Sequence, residues 1–339
     1  MTRKATIHDV ARTASVSIKT VSRVLNGSPE VKQATAAKVR QAMQAHGYQP
    51  NVLARGLARN ASDVIGVAIG HGADAQLSNP FVFQVLNGIT AAANQQGYQV
   101  MLVTSSPETP MASLILAKRV AGMVFISVRS DDEHVRMLHA QGLPFVLTCH
   151  FDSDAAVPFV DLDGTKAGQM VVDHLVGLGH GRIAILCGPS NHGNSHARRE
   201  GYEQGLAQHD LPLDRRLIKY GDFNEASGIC LTRDLLQLAD APTAIFACSD
   251  QMALGALHAL RQAGLAVPQQ VSVVGFDDIP MAQYWEPPLT TIRQDGTAKG
   301  TAAADMLIQL LDGKIPPKSR LLEPELMVRQ STGPVPREL

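Results

Sequence analysis

The chain's 339 residues, 45% hydrophobic and 18% charged, supply material for two or three packed domains and exclude a globally disordered polymer. The net charge of -1 conceals a division: residues 1–60 carry ten Lys and Arg against two acidic residues, a net of +8, so the remainder carries -9. No apolar run approaches the ~20 residues of a membrane-spanning helix, and Lys118 and Arg119 break the best stretch.

Thr6-Ile7-His8-Asp9 has the S/T-x-x-D/E form of a helix start, and Ile7, Val10, Ala11 and Ala14 follow at helical spacing. Ala14-Ser15-Val16-Ser17 reads as a tight connection in which Ser17 caps a second helix beginning at Ile18. That helix carries one apolar stripe, Val21, Val24 and Leu25, and turns Lys19, Thr20, Ser22, Arg23 and Asn26 outward. A third helix over 33–46 buries Val39, Ala42 and Met43 and ends at Gly47. Two helices joined by a four-residue turn, with basic groups exposed on the second, make a helix-turn-helix, a motif whose second helix can enter the DNA major groove. A basic module on an acidic body fits the same reading, since the body repels the polyanion that the head holds.

From residue 61 onward, short apolar strands alternate with helical segments. Strands are expected over 64–69, 99–104, 123–127 and 145–148, with a helix over 83–96. A second series follows, with strands over 183–187, 217–221, 244–247 and 271–276 and helices over 166–178, 198–208 and 251–263. Repeated βαβ units imply parallel sheets covered by helices, and two successive sets imply two lobes. Ligands of open parallel sheets bind outside the strand carboxyl ends, here the cleft between the lobes.

Several constellations fail on context. Gly70–Ala75 has the form G-x-G-x-x-A, the mark of a dinucleotide enzyme and the main alternative reading. Ser78-Asn79-Pro80 delay the helix whose N-terminus would hold the pyrophosphate. His192 and His196 stand four apart, but Gly193 and Asn194 between them read as loop and no third ligand is evident. Ser190 and Ser195 lack the glycine elbow of a nucleophile. No catalytic residue, metal or cofactor is therefore expected. Cys149, Cys187, Cys230 and Cys248 are widely spaced without a C-x-x-C pair, and no apolar segment follows the basic start. Both features suit a reducing cytoplasm and disfavour a secreted sugar-binding protein, the other rival for the body.

Three motifs in order, Val16 to Asn26, Gly47-Tyr48-Gln49-Pro50-Asn51 and Leu53-Ala54-Arg55-Gly56-Leu57-Ala58, resemble the lactose-repressor/galactose-repressor (LacI/GalR) family. The resemblance implies an α/β chain. Its parts are a three-helix helix-turn-helix DNA-binding domain (1–47), a hinge helix (48–60) and a two-lobed periplasmic-binding-protein-like domain of parallel sheets (61–339). The expected lobes are 61–160 with 290–320, and 161–289 with 321–332. It also implies that Ile18 and Lys19 read base edges and that Arg23 contacts guanine, where a bidentate pair is worth ~1–3 kcal/mol of discrimination. Thr20, Ser22 and Asn26 are expected on phosphates, with Thr6, Lys32, Asn51, Ala54 and Arg55 completing the DNA-contacting set. Leu57 is expected as a wedge between base steps in the minor groove. Gly56, where a better helix former is usual, weakens the hinge helix by about 1 kcal/mol, and Lys32 replaces the usual Ser or Thr cap.

For the cleft, the resemblance rests on Asn79-Pro80-Phe81, Arg198-Arg199-Glu200-Gly201-Tyr202, Gly221-Asp222-Phe223, Gly275-Phe276-Asp277-Asp278 and Thr290-Thr291-Ile292-Arg293-Gln294. It assigns Phe81, Arg198, Phe223, Ser249, Asp277 and Gln294 to the effector. A guanidinium and a carboxylate bond neighbouring hydroxyls, and aromatic faces cover the apolar side of a sugar ring. Ser249 is shorter than the residue usual there, Thr148-Cys149-His150 lacks the usual acid or amide, and His150 is read as a surface histidine. The expected molecule is a homodimer that binds a palindromic operator, responds to a small carbohydrate-like effector and has no membrane partner. The tail 330–336 has no heptads to make a tetramer.

Overall fold

The apolar spacing of the head folds as three helices, α1 (Ile7–Thr13), α2 (Ile18–Leu25) and α3 (Gln33–Ala45). At the start of α1 the Thr6 backbone N–H and hydroxyl both donate to the Asp9 carboxylate, at 2.9 and 2.7 Å. Ser17 accepts from the Thr20 N–H at 3.1 Å and so caps α2. Gly47, at φ +57°, follows the last turn of α3 in the left-handed conformation that glycine tolerates. Val10, Ala11, Ala14, Val21, Val39 and Ala42 form the small core, with Ile7, Val16, Val24, Leu25, Met43 and Tyr48 packed around it.

The computed structural model describes residues 5–25, 30–48, 62–70, 79–104, 111–151 and 157–335, and the chain divides into two units, Met1–Ser62 and Asp63–Leu339. The second unit holds two six-stranded sheets. The first contains β1 (Val64–Ile69), β2 (Gln99–Thr104), β3 (Gly122–Ile126), β4 (Phe145–Leu147), β5 (Phe159–Leu162) and β11 (Ser319–Leu322), in the order β11-β5-β4-β3-β1-β2. Its strands pair in parallel throughout. The second contains β6 (Ile183–Cys187), β7 (Ile218–Tyr220), β8 (Ala244–Ala247), β9 (Ser272–Asp277), β10 (Thr290–Arg293) and β12 (Glu325–Met327), in the order β12-β10-β9-β8-β6-β7. It is parallel except where β12 runs against β10.

Helices cover both faces of each sheet, as the continuous apolar runs of the strands require. In the first lobe Ile65, Val67 and Ile69 meet residues of α4 (Pro80–Gln95) and α11 (Gly296–Leu311). Ala68, on the opposite face, clusters with α5 (Met111–Leu116) and α6 (Glu133–Ala140). The second lobe is covered by α7 (Gly164–Gly177) and α8 (Gly193–Gln208) on one side and by α9 (Glu225–Leu236) and α10 (Asp250–Gln262) on the other. α7 and α8 cross almost backbone to backbone: a Cβ added at Gly201 would lie 2.0 Å from the Thr165 carbonyl oxygen, and one at Gly168 would lie 2.5 Å from that of Arg198. That crossing fixes the height of Arg198 above the sheet.

Three expectations need correction. The crossings between lobes follow β5, β10 and β11, a few residues later than the expected boundaries. Residues 290–293 pair in register with β9, so they belong to the second lobe, while Leu321 and Leu322 pair with β5 in the first. α4 starts at Pro80 rather than residue 83, because Asn79 caps it by accepting from the Phe81 N–H at 2.9 Å. Gly193 and Asn194 are helical rather than loop, with His192 at the N-cap of α8. Glycine is required there by contact, since a Cβ at Gly193 would lie 2.4 Å from the His150 carbonyl oxygen of the other lobe.

Candidate functional site

In the head, α2 presents Ile18, 42% exposed, with Lys19 and Arg23 also exposed. Thr20 and Ser22 are half-buried at its sides. Arg23 lies 3.4 Å from Glu30 in an exposed pair, which contributes little stability. Lys32 stands exposed at the N-cap of α3 without a side-chain cap bond. The Thr6 hydroxyl is engaged with Asp9, which leaves its oxygen lone pairs as the group available to a partner. Asn26, Asn51, Ala54, Arg55 and Leu57, together with the hinge and the Gly70–Ala75 loop beyond Gly70, lie outside the described residues.

In the body, a cavity of about 50 Å³ lies between the lobes at the carboxyl ends of the strands. All six residues expected at the effector line it: Phe81, Arg198, Phe223, Ser249, Asp277 and Gln294. They come from separate segments, the start of α4, the second turn of α8 and the ends of β7, β8, β9 and β10, so no local pattern brings them together. Asn79 and Thr148, from segments discussed with the cleft in the sequence, share the lining, together with Ser127, His192 and Asn194, which the sequence reading missed. Ser127 and Thr148 follow β3 and β4 directly, where the strand-end rule points. His192 and Asn194 were obscured by the reading of 193–194 as loop.

The polar floor is tightly organised. Arg198, 4% exposed, donates from Nη1 to the Cys248 carbonyl, and its guanidinium carbon stands 3.6 Å from the Phe276 ring centroid. A desolvated stack of this kind is worth about 2 kcal/mol and holds the guanidinium plane, with no carboxylate in salt-bridge contact among the described residues. Gln294 donates from Nε2 to Asp277 Oδ1. Burial raises the Asp277 carboxyl to about 6, against the opposing pull of Arg198, Gln294 and Lys299. Asp250, behind it, is raised to about 8 by burial and by Asp277; its oxygens accept from the Thr291 hydroxyl at 2.6 Å and the Ile279 N–H at 2.8 Å. The two carboxyls therefore resist ionising together. Three lining residues, Ser127 (φ +58°), Phe223 (φ +57°) and Asp277 (φ +126°), occupy the left-handed side of backbone space, a form of strain that clusters at binding sites.

Ser249 lines the cavity, yet its hydroxyl donates to the Phe223 carbonyl and accepts from the Met252 N–H, both at 3.1 Å. It serves chiefly as the cap of α10 and as a brace for Phe223. His192 packs edge-on against Phe223 at 5.5 Å and meets the Ser127 hydroxyl at 3.1 Å across the cleft. Beside them the Ser130 N–H and hydroxyl both donate to the Asn191 carbonyl, at 2.8 and 3.1 Å. These bonds draw the lobes together at the cleft. His150 stays out of the cavity and packs edge-on against Phe159 at 4.8 Å. Among the described residues no group of three His, Cys, Asp or Glu is placed to hold a metal ion, and no helix is long and apolar enough to cross a membrane.

Comparison with known proteins agrees with this arrangement. Residues 6–51 match the family of bacterial regulatory proteins of the lacI type, and residues 172–332 match a periplasmic binding protein-like domain. The chain is 35% identical over 341 residues to the HTH-type transcriptional repressor CytR of Escherichia coli (strain K12), with 98% of this chain and 97% of CytR covered. The crystal structure of the lac repressor dimer bound to operator and the anti-inducer ONPF superposes with a TM-score of 0.86 at 32% identity, covering 98% of this chain and 100% of that one. The structure of the transcriptional regulator CelR-cellobiose complex superposes with a TM-score of 0.76 at 34% identity, covering 96% and 99%. With a helix-turn-helix head, two parallel-stranded lobes around a polar cleft and relatives aligned along nearly its whole length, the chain belongs to the lacI family of bacterial transcriptional regulators.

Proposed function

We propose that this regulator is a homodimeric, cytoplasmic repressor that holds a palindromic operator and releases or grips it according to a small carbohydrate-like effector in the interlobe cleft. In this reading Ile18, Lys19 and Arg23 face base edges, while Thr20, Ser22, Asn26 and Lys32 face phosphates. Asn51, Ala54, Arg55 and Leu57 act in the hinge at the minor groove. Phe81 and Phe223 cover the apolar faces of a sugar ring, and Arg198, Asp277 and Gln294 meet its hydroxyls. The observation that carries the reading is the convergence of those five side chains, from five separate segments, on one cavity. Operator binding by the lac repressor dimer and cellobiose binding by CelR support the same assignments here. The cleft has a binding role and no catalytic one.

Effector and operator are linked reciprocally: a ligand that prefers one lobe arrangement by ~100-fold shifts the DNA equilibrium by about 2.7 kcal/mol. The test is a thermal-shift panel of neutral sugars, sugar acids and sugar phosphates on the full chain, repeated with its operator duplex. A sugar that raises the melting temperature, and whose effect changes when DNA is present, supports the proposal. A panel in which no carbohydrate shifts the melting temperature overturns the effector assignment.

A further inference from the structure

Lys299 lies behind the cavity rather than in it, yet its side chain is only 1% exposed. Its ammonium donates to Asp161 Oδ1 at 2.7 Å and to Gln294 Oε1 at 3.1 Å, and it stands 5.5 Å from the Phe81 ring centroid. Asp161 is satisfied on its far side: Oδ1 also accepts from the Leu162 N–H at 2.8 Å and Oδ2 from the His150 N–H at 2.9 Å. An ammonium has three hydrogens and accepts nothing. Gln294 must therefore turn its carbonyl oxygen toward Lys299, which leaves its amide nitrogen facing Asp277, where the hydrogen bond is found. A continuous chain of side chains thus runs from the first-lobe strand β5 through α11 and the crossover to the cleft carboxylate at the end of β9.

We propose that Lys299 is a positioning residue that fixes the hydrogen-bond sense of the cleft: by holding the Gln294 carbonyl it keeps Asp277 an acceptor, so the cleft selects effectors that present hydroxyl or amino donors there. This rests on the reading of the cavity as the effector site. A buried ion pair contributes little net stability, because desolvation offsets the attraction, so stability alone does not account for this one. The charged and titratable groups acting on Asp277 are Arg198 from α8, Asp250 from α10 and Lys299 from α11, while Asp278 acts on Asp250 and is itself held by Arg293 and Arg329. Without Lys299 the Gln294 amide is free to reverse. A reversed amide presents its oxygen to Asp277 and favours the protonated carboxyl, which is a donor.

The test needs no effector. The full chain is labelled with carbon-13 at its aspartate carboxyls, the Asp277 signal is identified by its loss in Asp277→Asn, and its midpoint is followed with pH. Lys299→Met is expected to raise that midpoint by about one pH unit, a tenfold change in proton affinity, and Lys299→Arg to keep it near the wild-type value. Lys299→Met leaves Asp161 buried without its cation, so Lys299→Met/Asp161→Asn, which removes both charges, is measured beside it. An unmoved Asp277 midpoint in the double variant, with a native near-ultraviolet circular dichroism spectrum, overturns the proposal. That result would leave a carbohydrate response intact, and a failed carbohydrate panel would leave the titration intact, so the two readings fail separately.

Discussion

Replacing Gly201 by Ala tests the link between helix crossing and cleft. The new Cβ would sit 2.0 Å from the Thr165 carbonyl oxygen, and real contacts of this kind stop near 3.0 Å, so α7 and α8 must part by about 1 Å. Overpacking of a close-packed contact costs about 1–3 kcal/mol, and the better helix propensity of alanine returns about 1 kcal/mol. Because the crossing is backbone against backbone, with no side chain able to swing aside, the upper part of that range applies, a net loss of about 2 kcal/mol. Gly177→Ala is the control: it lies in the last turn of α7 with nothing within 4 Å of its Cβ position, so only the propensity gain remains. Urea denaturation should give opposite signs for the two variants. Melting temperature should fall by about 4 °C or more for Gly201→Ala. The shift also displaces Arg198, whose carbonyl oxygen faces Gly168 across the same crossing, so carbohydrate affinity should fall with stability. Equal stability of Gly201→Ala and wild type would refute the argument from the crossing.

Lys32→Ser should restore the missing cap of α3 and stabilise the head by about 1 kcal/mol; an unchanged head unfolding transition would show the cap to be immaterial. His180 is buried and hydrogen-bonded to Thr243, Ser272 and the Gly333 carbonyl, and burial lowers its pKa. Its neutral form contributes stability in full above the unfolded value of ~6.5, and that contribution is lost as pH falls through the lower folded value. The urea midpoint of wild type should therefore drop on acidification more steeply than that of His180→Gln, and parallel pH profiles would contradict this. Leu57→Ala should weaken operator binding in a gel-shift titration with carbohydrate affinity nearly unchanged; undiminished operator binding would remove the wedge.

Most of the fold was legible because the signals were redundant. β1, β2, β6 and β8 were bounded correctly from apolar runs: β1, β6 and β8 are buried on both faces and read as nearly continuous apolar stretches, while β2, at the sheet edge with Leu102 44% exposed, is apolar only over 100–103. The crossings were harder, because a strand such as β10 reads the same whichever sheet it joins, and only pairing with β9 decides. In the cleft, charged and aromatic residues at strand ends were found, while His192 was lost with the N-terminus of α8. Lys299 left one overlooked signal: it falls on the buried stripe Gly296, Lys299, Gly300, Ala303 and Leu307 of α11, where a solvated lysine has no place. Its partner Asp161, 138 residues away, could not be read from spacing.

The central claim is that a cationic head grips duplex DNA under the control of an acidic two-lobed body. The most direct measurement is selection of bound duplexes from a random pool by the full chain, followed by titration of the enriched sequence at rising salt. The account predicts an enriched palindrome whose affinity falls steeply, by orders of magnitude over a fourfold rise in salt if ~6–10 phosphates are contacted. No enriched sequence, or an affinity indifferent to salt, would contradict it.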